Sequence, residues 1–334
     1  MMYRNHLLFL LLLSFLAFSC GNRDQYKDLP EELAKLCVDI DKHPKNAENY
    51  YKRANYYYYN KEVEKGLADI QKAIKLQPDS SKYYVTLSDF YFAQHETDLT
   101  EEALLKAIST DGNNNEARLK LAELQYHTRQ YDDCEKTIDE AVRLQPHNPK
   151  AHLIKAFMLK DLHDTTGYLR MLQLVIDQNP REIKAYLELG YFYQMKNDPI
   201  AVSYYQNGLK FDPDNVELHY NLGKMFQDMG KFEEAEQEYR TAIAIDSTDL
   251  KSLNNLGYIY LDDHFKRYDE AAELFTRAIQ VNPNFVNAVC NRGVAYECAG
   301  NYVAARKDYE EALRLYTNFE PAILGLNRLD KIQR

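Results

Sequence analysis

The most constraining feature of this sequence is a small residue that returns about every 34 positions. The steps between its eight copies are 34, 34, 34, 33, 34, 36 and 34 residues. The copies are Ala73, Ala107, Ala141, Val175, Gly208, Ala242, Ala278 and Ala312. A period of this length is typical of repeat architectures, in which each copy buries its apolar face against its neighbours.

A second set of small residues lies about 19 positions before the first set in each copy. Its members are Ala54, Ser88, Ala122, Ala156, Gly190, Gly223, Gly257 and Gly293. Two helices can approach closely only where small side chains meet, so the two sets mark places where packed helices could cross. Pro78, Pro146 and Pro283 close three of the copies, where proline ends a helix.

These copies resemble the tetratricopeptide repeat, a 34-residue helix–turn–helix unit. The best match carries Leu222-Gly223, Phe226, Ala235, Tyr239 and Ala242 at the family's positions. The resemblance covers about residues 47–318 as eight repeats. It implies an all-α fold, a right-handed α-solenoid of about eight such units.

The sequence departs from the family at the Trp that opens its motif, which no copy carries. Tyr50, Tyr84, His152 and His219 stand at that position in four of the copies. We expect the two histidines to have a packing role there. The long step of 36 residues falls at Asp262 to Lys266 and predicts a lengthened turn inside the seventh repeat.

Both ends of the repeat array are expected to be covered by an additional helix. Residues 30–46 predict an N-terminal capping helix, and residues 319–334 predict a C-terminal one that copies the start of a further repeat. Terminal helices with a polar outer face protect the exposed ends of repeat arrays.

The first 20 residues differ from the rest of the chain. Residues 1–19 combine an early Arg with an apolar run, which is typical of a secretory signal peptide. The segment Leu16-Ala17-Phe18-Ser19-Cys20 resembles the lipobox of bacterial lipoproteins, which implies cleavage before Cys20 and lipidation of Cys20. The alternative is a plain signal peptide with an incidental Cys.

Lipidation of Cys20 would leave residues 20–29 as a short tether of at most about 35 Å. The expected location is therefore the cell envelope, with the chain lipid-anchored to a bacterial membrane, most simply the outer membrane on its periplasmic face.

Charge and motifs argue against several classes of function. With 51 acidic and 41 basic side chains the net charge is −10, which disfavours nucleic acid as the partner. Sequence motifs for phosphate-binding loops, zinc hydrolases, serine hydrolases and Cys-x-x-Cys redox centres are absent. We therefore predict no enzymatic activity, no cofactor, no bound metal and no small-molecule substrate.

The family resemblance places the binding surface in a groove lined by the first helix of each repeat. The residues it brings into that groove include Tyr51, Asn55, Tyr58, Tyr59, Tyr191, Tyr220 and Tyr258. Aromatic side chains offer large contact areas at low entropic cost, which suits peptide binding. The alternative is that some of these tyrosines pack between repeats.

Three asparagines stand two positions before the small residue in the last three repeats: Asn221, Asn255 and Asn291. We expect them to form a ladder that meets about every third residue of an extended peptide. A carboxamide both donates and accepts, so it can satisfy a peptide group without selecting its side chain. The alternative is that Asn is simply common at this position in such repeats.

Two hypotheses on function follow. The first is a membrane-tethered scaffold that binds extended or helical peptide segments of protein partners, within an envelope assembly. The second is a non-catalytic regulatory or accessory subunit of an envelope enzyme.

Overall fold

The computed structural model describes residues 26–332, and within that range it contains α-helices and no β-strand. The chain divides into two compact bodies after Asp164, here called the N-terminal body (described from residue 26) and the C-terminal body (described to residue 332). The all-α prediction is confirmed.

Within residues 26–164, the N-terminal body contains eight helices. They are α1 (Glu31–Lys42), α2 (Ala47–Tyr59), α3 (Val63–Leu76), α4 (Ser81–Ala93), α5 (Thr97–Thr110), α6 (Asn115–His127), α7 (Tyr131–Leu144) and α8 (Pro149–Asp161). Helices α2–α3, α4–α5 and α6–α7 are the hairpins of repeats one to three, and α8 is the first helix of repeat four.

The C-terminal body contains ten helices within the described residues. They are α9 (Thr165–Gln178), α10 (Ile183–Gln194), α11 (Ile200–Leu209), α12 (Val216–Asp228), α13 (Phe232–Ile245), α14 (Leu250–Tyr260), α15 (Tyr268–Val281), α16 (Val286–Cys298), α17 (Tyr302–Leu315) and α18 (Glu320–Ile332). Repeats five to eight are the hairpins α10–α11, α12–α13, α14–α15 and α16–α17, followed by α18. In both bodies, the first helices of successive repeats also touch one another.

Polar side chains fix where many of the first helices begin. Asn46, Asn114, Asn148, Asn215 and Asp249 each accept a hydrogen bond from a backbone N–H in the first turn, at 2.8–3.0 Å. Such caps satisfy backbone donors that the helix itself leaves unpaired. They set the register of the helix, and therefore which side chains face the groove.

Within each hairpin of the C-terminal body, a glycine of the second small-residue set lies against an aromatic ring. The pairs are Gly190 with Tyr205, Gly223 with Tyr239, Gly257 with Phe275 and Gly293 with Tyr309. A Cβ atom at Gly257 would lie 2.8 Å from Cε1 and Cζ of the Phe275 ring, closer than real Cβ contacts. The ring therefore occupies the space that the missing side chain leaves.

In the N-terminal body, the same two positions of each hairpin carry side chains of different volumes. The residues at the equivalent positions there are Ala54 and Ile70, Ser88 and Leu104, and Ala122 and Ile138, all buried. A larger residue on the first helix is matched by a smaller one on the second helix. Interiors pack to near-crystalline density, so the sum of the two volumes is what the hairpin fixes.

The position of the absent Trp has a polar role beside the expected packing. The side chains there bind the backbone carbonyl of a Pro six residues earlier: Tyr50 to Pro44 (3.2 Å), Tyr84 to Pro78 (3.0 Å), His152 to Pro146 (3.2 Å) and His219 to Pro213 (2.9 Å). Tyr, His and Trp share an N–H or O–H donor at the end of a flat ring. In these four repeats the bond ties the first helix to the turn before it.

The turn of the seventh repeat is lengthened, as predicted. Helix α14 ends at Tyr260 and α15 begins at Tyr268, whereas α12 and α13 are separated only by residues 229–231. The backbone N–H groups of Phe265 and Lys266 both donate to the carbonyl of Asp262, at 3.0 and 2.9 Å. The longer turn is therefore an ordered loop.

The glycine–aromatic contact predicts a compensating pair of substitutions. Gly257→Ala should overpack against Phe275 and destabilise the C-terminal body by about 1–3 kcal/mol. Phe275→Leu should destabilise it by leaving a cavity. Together they recreate the alanine–aliphatic combination of the N-terminal body. The loss of unfolding free energy in the double variant should therefore be smaller, by at least about 0.5 kcal/mol, than the sum of the losses in the two single variants. Urea unfolding of the four proteins measures this coupling.

Gly112→Ala is the control, because a Cβ atom there would meet nothing within 4 Å. Strict additivity of the Gly257 and Phe275 effects would contradict the proposed exchange of volumes.

The surroundings of His219 predict that the stability of the C-terminal body depends on pH. Its Nδ1 lies 2.6 Å from Oε2 of Glu238, and its Nε2 lies near the Pro213 carbonyl, so both nitrogens face acceptors. The hydrogen bond to Glu238 raises the pKa of His219 above its usual value, although burial opposes this. A raised pKa adds stability that is complete below the unfolded-state pKa of about 6.5 and is lost as pH rises through the folded-state pKa.

In the variant His219→Tyr, the phenol can still donate to the Pro213 carbonyl, as Tyr50 and Tyr84 donate to the equivalent carbonyls in their repeats. The variant lacks the imidazole that titrates. We expect the urea midpoint of the wild type, relative to that of this variant, to decrease as the pH is raised from 5.5 to 8.5. Parallel pH profiles for the two proteins would refute the role of the His219–Glu238 pair.

Candidate peptide-binding surfaces

Several large aromatic side chains on the first helices are held in contact with solvent. Tyr59 is 81% exposed, Tyr258 55% and Tyr191 53%, all three among the residues that sequence analysis placed in the groove. Phe92, on α4, is 58% exposed. An exposed aromatic side chain offers a large apolar area that a partner can cover.

The other predicted tyrosines of the N-terminal body pack between repeats. The Tyr51 ring lies 5.2 Å from the Tyr83 ring, and Tyr58 meets Phe90 edge-on at 5.3 Å. Asn55 donates to the carbonyl of Tyr51, one turn back on its own helix, at 3.0 Å. For Tyr51 and Tyr58, both half-buried, the alternative of packing between repeats therefore describes most of the side chain.

A cleft of about 250 Å³ opens between the first three repeats of the N-terminal body. Its apolar part includes Tyr58, Phe92 and Leu124, and its polar part includes Asp89 and Lys120. Asp89 accepts a hydrogen bond from Lys120 at 2.5 Å. Sequence analysis had predicted Tyr58 here but not the charged pair.

A chain of polar side chains links the last three repeats of the C-terminal body. Asn291 donates to Asn254 (3.1 Å), Asn254 donates to Asn255 (3.3 Å), Asn255 donates to the Tyr239 hydroxyl (3.2 Å), and Tyr239 donates to Gln227 (2.8 Å). These five residues are here called the amide chain. It crosses from repeat eight through repeat seven to repeat six.

The amide chain changes the geometry of the predicted asparagine ladder. Asn255 and Asn291 are joined through Asn254, which sequence analysis did not single out, although it stands beside Asn255. Asn221 is half-buried at the equivalent position of repeat six and makes no hydrogen bond to the chain. Asn255 and Asn291 each use one amide N–H in these bonds, and the Asn255 side chain also interacts with the Tyr220 phenol.

Tyr220 lies against Tyr239, a member of the amide chain. Their rings lie 6.0 Å apart, and the Lys251 ammonium lies 5.4 Å from the centre of the Tyr220 ring. Burial raises the pKa of both phenols above the usual value. Tyr239 therefore remains protonated and acts as a fixed donor to Gln227.

Gln227 also lines a surface depression of about 440 Å³ in the C-terminal body. The exposed Tyr258 forms part of its wall, together with Leu261 and Asp262 from the start of the long turn. The amide chain and this depression therefore meet at Gln227.

Some of the other predictions concern residues that the structure does not describe. Cys20, the signal peptide at residues 1–19 and most of the predicted tether lie outside the described residues. No helix within residues 26–332 is both long enough and apolar enough to cross a membrane. In the same range, no group of three or more His, Cys, Asp or Glu side chains is placed to hold a metal ion.

Comparison with known proteins shows which family models match this chain and which proteins are similar to it. Models described as TPR repeat or tetratricopeptide repeat match residues 47–80, 91–156, 191–230, 223–263 and 265–318. The chain is 30% identical over 158 residues to the type IV pilus assembly protein PilF of Pseudomonas aeruginosa, covering 44% of this chain and 62% of PilF. It is 27% identical over 179 residues to DnaJ protein P58IPK homolog B of Oryza sativa subsp. japonica, covering 48% of this chain and 38% of that protein.

The chain thus spans less than two thirds of the length of these curated relatives. Among solved structures it is similar to PilW, described as a widely conserved type IV pilus biogenesis factor, with a TM-score of 0.52 and 16% identity. That likeness covers 64% of this chain and 98% of PilW, and at this identity it supports the fold alone. With five matched segments between residues 47 and 318, and helical hairpins throughout, the chain belongs to the tetratricopeptide repeat family.

Proposed function

We propose that this protein is a non-catalytic scaffold that binds extended peptide segments of protein partners along the first helices of its repeats. The observation that carries the proposal is the exposure of large aromatic side chains on those helices, with Tyr191 and Tyr258 in the C-terminal body and Tyr59 and Phe92 in the N-terminal body. Such side chains gain free energy when a partner covers them.

In the C-terminal body, the proposed contacts to the peptide backbone come from Asn221, Asn255 and Asn291. Packed helices lie about 8–10 Å apart, and an extended chain advances about 3.3 Å per residue, so one asparagine meets about every third residue. The amide chain holds Asn255 and Asn291 in place before a ligand arrives, which lowers the entropic cost of binding. Binding of this kind selects backbone conformation more than sequence.

We also propose that the protein acts in the cell envelope, anchored by a lipid on Cys20. The lipobox-like segment Leu16-Ala17-Phe18-Ser19-Cys20 supports this location, as does the similarity to a type IV pilus assembly protein. A tether of about ten residues would hold the repeats close to the membrane, where they could collect segments of other envelope proteins.

The asparagines provide the first test. Peptides are selected from a random extended-peptide display library on the wild-type protein, and their affinity is measured by fluorescence anisotropy. Asn221→Ala, Asn255→Ala and Asn291→Ala combined should weaken binding about tenfold, because two or three hydrogen bonds of roughly 0.5–1.5 kcal/mol each are lost. Circular dichroism confirms folding.

The matched control replaces three exposed turn asparagines, Asn60, Asn113 and Asn284, by Ala and should leave affinity unchanged. Equal affinity for both triple variants would remove the asparagines from the binding site. If Tyr59→Ala and Phe92→Ala then abolish binding, the N-terminal body holds the peptide instead.

Cys20 provides the second test. In a bacterial host, Cys20→Ala should abolish labelling by a fatty-acid analogue and leave the protein uncleaved or released from the membrane. Cys37→Ala is the control, because Cys37 is a buried thiol in α1. A soluble wild-type protein that is cut elsewhere and carries no label would contradict the proposed anchor.

A further inference from the structure

The depression beside Gln227 combines apolar walls with carboxylates at its rim. Phe232, Tyr258, Leu261 and Val294 supply the apolar surface, and none of the four is fully buried. These residues come from repeats six, seven and eight. The depression is therefore built by the stacking of three repeats, and no single hairpin could form it.

Two carboxylates line this depression, and they differ in their partners. Asp228 forms an ion pair with Lys224, one turn earlier on the same helix. Asp262 accepts a hydrogen bond from the backbone N–H of His264 at 2.9 Å, and within residues 26–332 it forms no ion pair. A negative charge without a cationic partner therefore stands beside the exposed ring of Tyr258.

We infer that this depression receives the arginine or lysine side chain of a bound extended peptide. The aliphatic stem of such a side chain would cover Leu261 and Val294, while its cation would reach Asp262 and the face of Tyr258. An acidic side chain would be repelled by Asp228 and Asp262. An aliphatic one would strip water from Asp262 without giving it a partner.

This inference rests on the proposed function, because the amide chain would guide the peptide to the depression. Gln227 ends the amide chain and also lines the depression, so a backbone held along the asparagines passes its side chains over Tyr258. Arginine should bind better than lysine, since its planar guanidinium both stacks on a ring and pairs with a carboxylate.

The lengthened turn of repeat seven fixes where Asp262 lies. Asp262 lies at the start of the turn, where its own carbonyl accepts from two later backbone N–H groups and fixes its position. The equivalent turns of repeats six and eight, residues 229–231 and 299–301, have three residues and no Asp. Asp262 stands five residues after Gly257, as Asp228 stands five residues after Gly223, but only Asp228 belongs to its helix, where it pairs with Lys224.

The test uses the full-length protein and the peptides selected from the display library described above. We expect Arg or Lys to be enriched at one position of the selected peptides. Replacing that residue by citrulline, a neutral analogue of arginine, should weaken binding about threefold to fivefold, the range for one partly exposed ion pair. Asp262→Asn should cause a similar loss, and citrulline should cost nothing further in that variant.

Asp262→Asn keeps the acceptor for the His264 N–H and should fold normally. Asp263→Asn is the matched control, since Asp263 is the neighbouring residue, has a 95% exposed side chain and does not line the depression. Tyr258→Ala is a second variant on the exposed wall and should also reduce the preference for arginine.

The outcomes separate the two claims. Selected peptides that bind tightly but carry no basic residue, or equal effects of Asp262→Asn and Asp263→Asn, would overturn the inference and leave the scaffold function standing. Failure to select any peptide would overturn the proposed function and this inference with it.

Discussion

The contact between the two helices of each hairpin is the interaction on which the rest of the structure depends. In the C-terminal body a glycine admits an aromatic ring, as Gly257 admits Phe275, and in the N-terminal body a buried alanine and a buried aliphatic residue, such as Ala54 and Ile70, stand at the equivalent positions. A hairpin closed in this way presents one apolar edge to the next hairpin. Because neither helix can bury that edge alone, the stack of repeats follows from the contact.

The stack in turn decides which side chains meet. Asn254, Asn255 and Asn291 lie on two different first helices, yet they form one hydrogen-bonded chain that ends at Gln227 of a third. Side chains held in this way are ordered before a ligand binds. In the proposed function, a peptide meets side chains that are already ordered, which lowers the entropic cost of binding.

The two bodies present different chemistry. The cleft of the N-terminal body contains a closed ion pair between Asp89 and Lys120, so its charge is largely satisfied internally. The depression of the C-terminal body contains Asp262, whose charge is not paired within the described residues. An unpaired charge beside exposed apolar surface selects the charge of a ligand, whereas a closed ion pair contributes little selectivity.

The sequence by itself determined the repeat length, the helical hairpins and the long turn at Asp262, because residues at a fixed spacing return to the same face of a helix. The family resemblance singled out Tyr59, Tyr191 and Tyr258, which are exposed. Only the tertiary structure decided that Tyr51 and Tyr58 pack between repeats, and that Asn254 joins Asn255 to Asn291. It also placed Asp262 beside Tyr258 and Val294. These pairings join residues on different helices, and their distances depend on the crossing of neighbouring repeats, which a period of 34 residues does not encode.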